Sequence, residues 1–206
     1  MRTDDELLRA WRGGDASAGR DLFERHFEAV FRFFRNKADR DVEDLVQQTF
    51  ASCVGARDDF RGESSFRTYL FTIARHELYA HWKKRHRREA EVDLGSMSVE
   101  DLATSPSGEL AARHDRVLLA RALRSIPLDL QIALELHYWE ELSGPELSAV
   151  LEVPEGTVRS RLRRGRELLA ERFDALSRGE GGDAAARSSV DDVDRWAVSL
   201  KQAMGR

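Results

Sequence analysis

The sequence has one cysteine, Cys53, only four prolines, and apolar runs of no more than a few residues. A lone cysteine cannot close an internal disulfide, and no group of cysteines and histidines has the spacing of a zinc site. Runs that short exclude a transmembrane helix. No apolar segment follows Met1, so no secretory leader and no membrane insertion are expected, and the compartment expected is the cytoplasm. Strong strand alternation is missing as well. What the chain has in excess is charge: 34% of its 206 residues are Asp, Glu, Lys or Arg, against an ordinary quarter or so, while apolar residues make 41%. At about 150 residues per domain the length fits one large domain or two small ones. The composition favours small cores over one large one.

The net charge of −4 hides its distribution. Lys83-Lys84-Arg85-His86-Arg87-Arg88 carries +5 in six residues, and the twelve residues Glu155 to Arg166 carry +4. The other 188 residues then hold −13. A mildly acidic chain with two concentrated basic stripes points to local contact with a polyanion.

Apolar spacing is helical nearly everywhere. Thr3-Asp4-Asp5-Glu6 reads as a capping box before Leu7, Leu8 and Trp11. Gly13-Gly14-Asp15 stops that helix and caps the next. Leu22, Phe23, Phe27, Val30, Phe31 and Phe34 form one apolar stripe; Val42, Leu45, Val46, Phe50 and Val54 form another. Acidic residues in the first turn of the latter suit the helix dipole. Cys53 is expected in the core. Arg57 to Ser65 reads as a loop, and Phe66, Tyr69, Leu70, Ile73 and Leu78 resume the pattern. These four amphipathic helices make a small bundle.

From Glu89 to about Ser107 the pattern dissolves into linker chemistry. Glu89 to Arg113 spans at most about 80 Å when extended, at roughly 3.3 Å per residue. Beyond it, Val117, Leu118, Ala120, Leu123 and Ile126 make a helix ended by Pro127, and Leu130, Ile132, Ala133, Leu134, Leu136 and Trp139 a buried one. Ser143-Gly144-Pro145-Glu146 supplies a cap, an early proline and a box-completing glutamate. That helix ends near Leu151, and the next runs from Pro154 to about Phe173. In the tail, Ser189 to Met204 has the spacing of a last, marginal helix.

Three places carry chemistry. Leu142 to Leu168 has helix-turn-helix order, in which the second helix enters the major groove. Val158 and Leu162 would face the first helix; Arg159, Ser160, Arg163 and Arg164 would form an outer face. Arginine suits that face because its planar fork grips a guanine edge or a phosphate bidentately. Phe60 to Arg88 sets a Gly/Ser loop and the aromatics Phe66, Tyr69, Phe71, Tyr79 and Trp82 beside the basic run. Opened DNA needs this combination, because bases stack on rings while cations follow the backbone. On spacing Phe66, Leu70 and Ile73 read as bundle core, while Tyr69, Tyr79 and Trp82 fit either role. Asp39 to Phe50 presents acidic and amide side chains suited to a basic protein partner.

In this order the motifs resemble those of the extracytoplasmic-function (ECF) sigma factors, the minimal two-domain RNA polymerase sigma subunits. Asp44-Leu45-Val46-Gln47-Gln48-Thr49-Phe50 resembles the family's polymerase-binding helix, Phe60 to Arg75 its minus-ten reading region, and Val153 to Leu162 its minus-thirty-five recognition helix. The resemblance covers about residues 3 to 175. It implies an all-α fold of two small helical domains, a sigma region 2 bundle over 1–88 and a sigma region 4 helix-turn-helix over 114–176. A flexible linker, 89–113, would join them, and the tail 177–206 would follow. It implies binding to core polymerase, at the clamp helices of the largest subunit through Asp44, Leu45, Gln47, Gln48 and Phe50, and at the β-subunit flap. It implies minus-ten contacts from Arg61, Ser64, Ser65, Phe66, Tyr69, Arg75, His76, Tyr79, Lys83 and Lys84. Duplex contacts at minus thirty-five would come from Pro154, Gly156, Thr157, Arg159, Ser160, Arg163 and Arg164. The partners implied are core polymerase, promoter DNA and an anti-sigma factor, with no cofactor, no metal and no catalytic residue.

The chain departs from the family pattern at His76, where Asn is common, at Ala80, where Asp is common, and at Glu152, where Gly is common. If position 152 needs positive φ, Glu152 is mildly strained. Gly165 replaces a usual Ala and should weaken its helix by up to about 1 kcal/mol. A stand-alone helix-turn-helix regulator would leave residues 39–50 and the aromatic–basic loop without a role. A nucleic-acid enzyme would need a carboxylate–metal or nucleophile–base constellation. His76, His81 and His86, five residues apart, do not converge on one metal.

Overall fold

The structure is a computed structural model and describes residues 1–38, 41–58, 60, 62, 64–86, 98 and 114–179. The linker 89–113 apart from Ser98, the tail helix expected at 189–204, Arg61 and Arg87-Arg88 lie outside the described residues. Helices are numbered α1 Asp4–Arg12, α2 Ala16–Arg35, α3 Val42–Gly55, α4 Phe66–Arg85, α5 His114–Arg124, α6 Leu128–Tyr138, α7 Gly144–Leu151 and α8 Glu155–Gly179.

The starts of these helices follow from their caps. Thr3 closes a capping box with Glu6, and Asp15 accepts from the Ser17 and Ala18 amides. Ser65 accepts from the Thr68 amide, and Ser143 closes a second box with Glu146. Each cap satisfies amides that the first turn would leave unpaired. Gly19 allows α1 and α2 to meet closely, since a Cβ there would lie 2.6 Å from the Trp11 ring.

The α2 and α3 stripes differ from expectation. Leu22, His26, Val30, Phe33 and Phe34 face the core, whereas Phe27 is 44% exposed and Phe31 only half-buried. On α3, Val54 is exposed and Thr49 and Cys53 are buried in its place. Burial pushes the Cys53 thiol up to about 12. Trp82, Phe66, Phe71, Leu70 and Leu78 are fully buried on α4. The loop before α4 is anchored by Phe60, which is buried, and by Arg12, which donates to the Arg57 and Phe60 carbonyls.

In the second module α5 and α6 pack on α8, and α7 packs on α8 as the first helix of a helix-turn-helix. Helix α8 runs on to Gly179, past the expected stop near Phe173, because Leu169, Ala170, Phe173 and Leu176 keep contact with the cluster around Leu123 and Trp139. Gly165 has a reason that helix propensity does not supply. A Cβ there would sit 3.1 Å from Leu134, so the glycine sets how closely α6 and α8 approach.

The modules are not held apart by the linker. One continuous apolar cluster joins Leu45, Phe66, Leu70, Ala74 and Leu78 to Ile132, Leu136, Leu147, Val150, Leu151 and Val158. The expectation of separate small cores is therefore corrected. Each helix bundle leaves an apolar face that the other covers, and burying a large side chain is favourable by about 1.5–3 kcal/mol. Ser98 is also buried and forms an isolated bridge with Pro127, at the α5–α6 corner.

Candidate nucleic-acid interface

The turn between α7 and α8 is built by Glu152, whose backbone is left-handed at φ 55°, ψ 41°. Its amide donates to the Ser148 carbonyl, and the Ser148 hydroxyl donates to the Val153 carbonyl at 2.5 Å. The positive φ expected at this position is present. A residue with a Cβ is held there by the packing of Val150, Leu151 and Val158 on either side.

Val158 is buried and faces α7. Pro154, Gly156, Thr157, Arg159, Ser160, Arg163 and Arg164 are all exposed on the opposite side. The Arg159 and Arg163 side chains are 76% and 71% exposed. Weak surface pairs hold them in place: Arg163 with Glu167 at 2.8 Å, Arg164 with Glu167 at 3.5 Å and Arg159 with Glu155 at 4.0 Å. Such exposed pairs contribute little and yield readily to phosphate. Arg161 points the other way and pairs with Asp129 at 2.6 Å. The Ser160 hydroxyl donates to the Gly156 carbonyl at 3.0 Å.

Helix α4 carries most of the residues expected to meet the minus-ten strand. Lys83 and Lys84 are exposed at its end. Tyr69 is half-buried, packs its ring tilted against Phe60 at 4.7 Å and donates to the Ala56 carbonyl. Phe66, also expected at the strand, is 1% exposed in the docked chain, its ring 5.5 Å from that of His26. Ser65 caps α4, so its hydroxyl is engaged by the Thr68 amide. Ser64 is half-buried in the preceding loop.

Arg75, His76 and Tyr79 face the second module. Arg75 and His76 both bond Glu152 at 3.1 Å, and Tyr79 donates to Asp129. Arg75 also lies over the Tyr79 ring, 4.9 Å from its centroid. Burial, then the Asp129 carboxylate, pushes the Tyr79 phenol up. For Glu152, burial acts to raise the carboxyl, but the bonds and charges of His76 and Arg75 together hold it below its ordinary value.

On α3, Asp44, Gln47 and Gln48 are exposed along one edge, and Phe50 is half-buried. Leu45, expected beside them, is 1% exposed and packs inward. The structure adds aromatic neighbours to this edge that the spacing had assigned to the core. Phe27 lies nearly parallel to Phe50 at 6.4 Å and to Phe31 at 6.2 Å. The signal was available, since Phe23, Phe27 and Phe31 run one residue out of phase with His26 and Val30 and so flank the inward face.

Among the described residues no group of three His, Cys, Asp or Glu could hold a metal, and no helix is long and apolar enough to cross a membrane.

Residues 22–88 match the family described as Sigma-70 region 2, and residues 116–169 that described as Sigma-70, region 4. The chain is 30% identical over 185 residues to the ECF RNA polymerase sigma-E factor of Escherichia coli K12, covering 85% of this chain and 97% of that one. It is 28% identical over 183 residues to the sigma-E factor of Haemophilus influenzae, covering 84% and 97%. Among solved structures it resembles the sigma factor RpoE in complex with the anti-sigma factor NepR from Bartonella quintana. That match has a TM-score of 0.58 and 25% identity, over 75% of this chain and 95% of that one. CnrH, solved with the cytosolic domain of CnrY, shares the fold with a TM-score of 0.60 at 24% identity, over 84% and 97%.

Proposed function

The chain belongs to the ECF RNA polymerase sigma factors, which are transcription initiation factors, and from that premise we propose how its modules divide the work. The second module reads the minus-thirty-five duplex. The observation that carries this is the outward face of α8, where Arg159, Arg163 and Arg164 stand exposed beside Thr157 and Ser160 just after a tight turn. The start of α8 also aims backbone amides at phosphate, and its fork-shaped cations read guanine edges or clamp the backbone.

The first module binds core polymerase and captures the opened minus-ten strand. The edge formed by Asp44, Gln47, Gln48 and Phe50 docks on the clamp helices of the largest subunit, and the second module meets the β-subunit flap. Arg61, Ser64, Ser65, Tyr69, Arg75, His76, Tyr79, Lys83 and Lys84 receive the non-template strand, cations along the backbone and rings against bases. Polymerase performs the chemistry and the chain supplies no catalytic group. It acts in the cytoplasm, and the complex of the similar sigma factor RpoE with the anti-sigma factor NepR supports an anti-sigma partner here too.

Run-off transcription with purified core polymerase over a genomic library tests the reading. Addition of the chain is expected to start RNA at defined sites. Asp44→Arg should weaken holoenzyme assembly while leaving duplex binding intact. Core polymerase that gains no site-specific initiation from the chain overturns the proposal.

A further inference from the structure

Five carboxylates of the second module point at the first, and each meets a partner there. Glu135 pairs with Lys37, and Glu140 with Arg32 at 2.6 Å and Arg67 at 2.5 Å. Glu146 accepts from Thr68 at 3.4 Å and Ser65 at 3.5 Å. Glu152 takes Arg75 and His76, and Asp129 takes Tyr79. These acids come from α6, the α6–α7 turn, α7 and the turn of the helix-turn-helix; Glu140, Glu146, Glu152 and Asp129 form a row along α4, and Glu135 meets Lys37 beyond the end of α2. Four of the residues given to the opened strand, Ser65, Arg75, His76 and Tyr79, are occupied by this row. The recognition face of α8 lies outside it, with Arg159 and Arg163 open to solvent.

Two of the chain's departures from its family's pattern meet in the row. His76 stands where asparagine is common, Glu152 where glycine is common, and their side chains bond each other at 3.1 Å. A glycine at 152 would suit the left-handed backbone better but would leave Arg75 and His76 without this carboxylate. The strained residue therefore gains an interaction that the unstrained one lacks.

We propose that the second module is an intramolecular competitor of the opened strand: Glu152 and Asp129 stand in for phosphate and base on Arg75, His76 and Tyr79, masking the strand-binding face of α4 until the modules separate. This rests on the reading of α4 as the strand-binding face. The masking is selective. The closed chain keeps its duplex-reading helix accessible, while strand capture requires separation.

The test uses the full chain with donor and acceptor dyes on cysteines placed at the exposed positions Glu24 and Glu171, one in each module. Cys53 is buried and stays unlabelled. Single-molecule energy transfer gives the open fraction, and fluorescence anisotropy with a labelled single-stranded deoxynucleotide of mixed sequence gives strand affinity. Two variants are compared with the parent: D129N/E152Q, and D129N/E152G, which also removes the left-handed strain and so carries little risk to folding. Both are expected to raise the open fraction at least about fivefold and to tighten strand binding by a similar factor, as a population shift requires. An unchanged open fraction in variants that keep their helical circular dichroism overturns the latch and leaves the strand-binding role of α4 standing. A raised open fraction without tighter strand binding overturns that role, and the masking with it.

Discussion

Gly19 and Gly165 have the same composition-level cost and different structural roles. At Gly19 an added Cβ would meet the Trp11 ring at 2.6 Å, so Gly19→Ala is expected to destabilise the chain by about 1–3 kcal/mol despite its better helix propensity. Chemical denaturation measures this directly, and a stabilised variant would show that α1 and α2 are free to move apart. At Gly165 the neighbour is Leu134 at 3.1 Å, which sequence reasoning could not see because it is thirty-one residues away. The left-handed backbone at Glu152, by contrast, was foreshadowed by the glycine common at this position in the family the sequence resembles. His26 belongs to no apolar stripe in the sequence, yet it is buried with Asp4 at 2.7 Å. Burial holds its imidazole below the ordinary value, although Asp4 acts the other way. Burial does the same at His81, opposed by Asp41. Unfolded histidine takes up its proton near pH 6.5, whereas these folded ones resist. Their contribution to stability is therefore complete above about pH 6.5 and is lost as pH falls toward the folded values. Stability measured between about pH 7 and pH 5 should decline, and His26→Asn should flatten the decline.

At the level of helices, the caps carried most of the information. Thr3 with Glu6, Asp15, Ser65 and Ser143 with Glu146 each mark a start that local side-chain chemistry fixes. Ends and faces were harder. Helix α8 continues to Gly179 because Phe173 and Leu176 find apolar partners on other helices. Phe27 and Phe31 look like core by aromatic content, and only their phase along α2 tells them apart from the inward face. The outward face of α8 was legible, since Val158 and Leu162 fix the inner side and leave the arginines opposite. Arg159→Ala and Arg163→Ala are each expected to cost about 1–3 kcal/mol of discrimination between a cognate minus-thirty-five duplex and a scrambled one if they reach bases. Competition binding separates this from a uniform loss on both duplexes, which would assign the side chain to phosphate alone.

Across the whole molecule the least legible feature is the docking of the modules. The acids that make it, Asp129, Glu135, Glu140, Glu146 and Glu152, are spaced by five or six residues over two helices and two turns, so no helical or strand period picks them out. The most buried contact is Lys37 with Glu135: the lysine lies under the α2 end, donates to the Phe33 carbonyl at 2.6 Å and sits over the Phe33 ring. Burial pushes its ammonium pKa down, opposed by the Glu135 carboxylate. Lys37→Met leaves Glu135 buried without its counter-charge and should cost about 3–5 kcal/mol; the double change Lys37→Met with Glu135→Leu should recover most of that. Urea titrations of the two variants decide it, and equal losses would show that the pair gives specificity of packing that apolar residues cannot replace.

The apolar cluster shared by the modules has a quantitative consequence for recruitment. Separation wets Leu147, Val150 and Leu151 together with the α4 residues beneath them. A partner that binds only the separated form then sees its intrinsic affinity multiplied by the small fraction of chains that are separated. Every 1.4 kcal/mol or so by which closure is favoured lowers the apparent affinity about tenfold. Substitutions at the buried Val150 or Ile132 therefore retune how much free chain is needed to switch a promoter on.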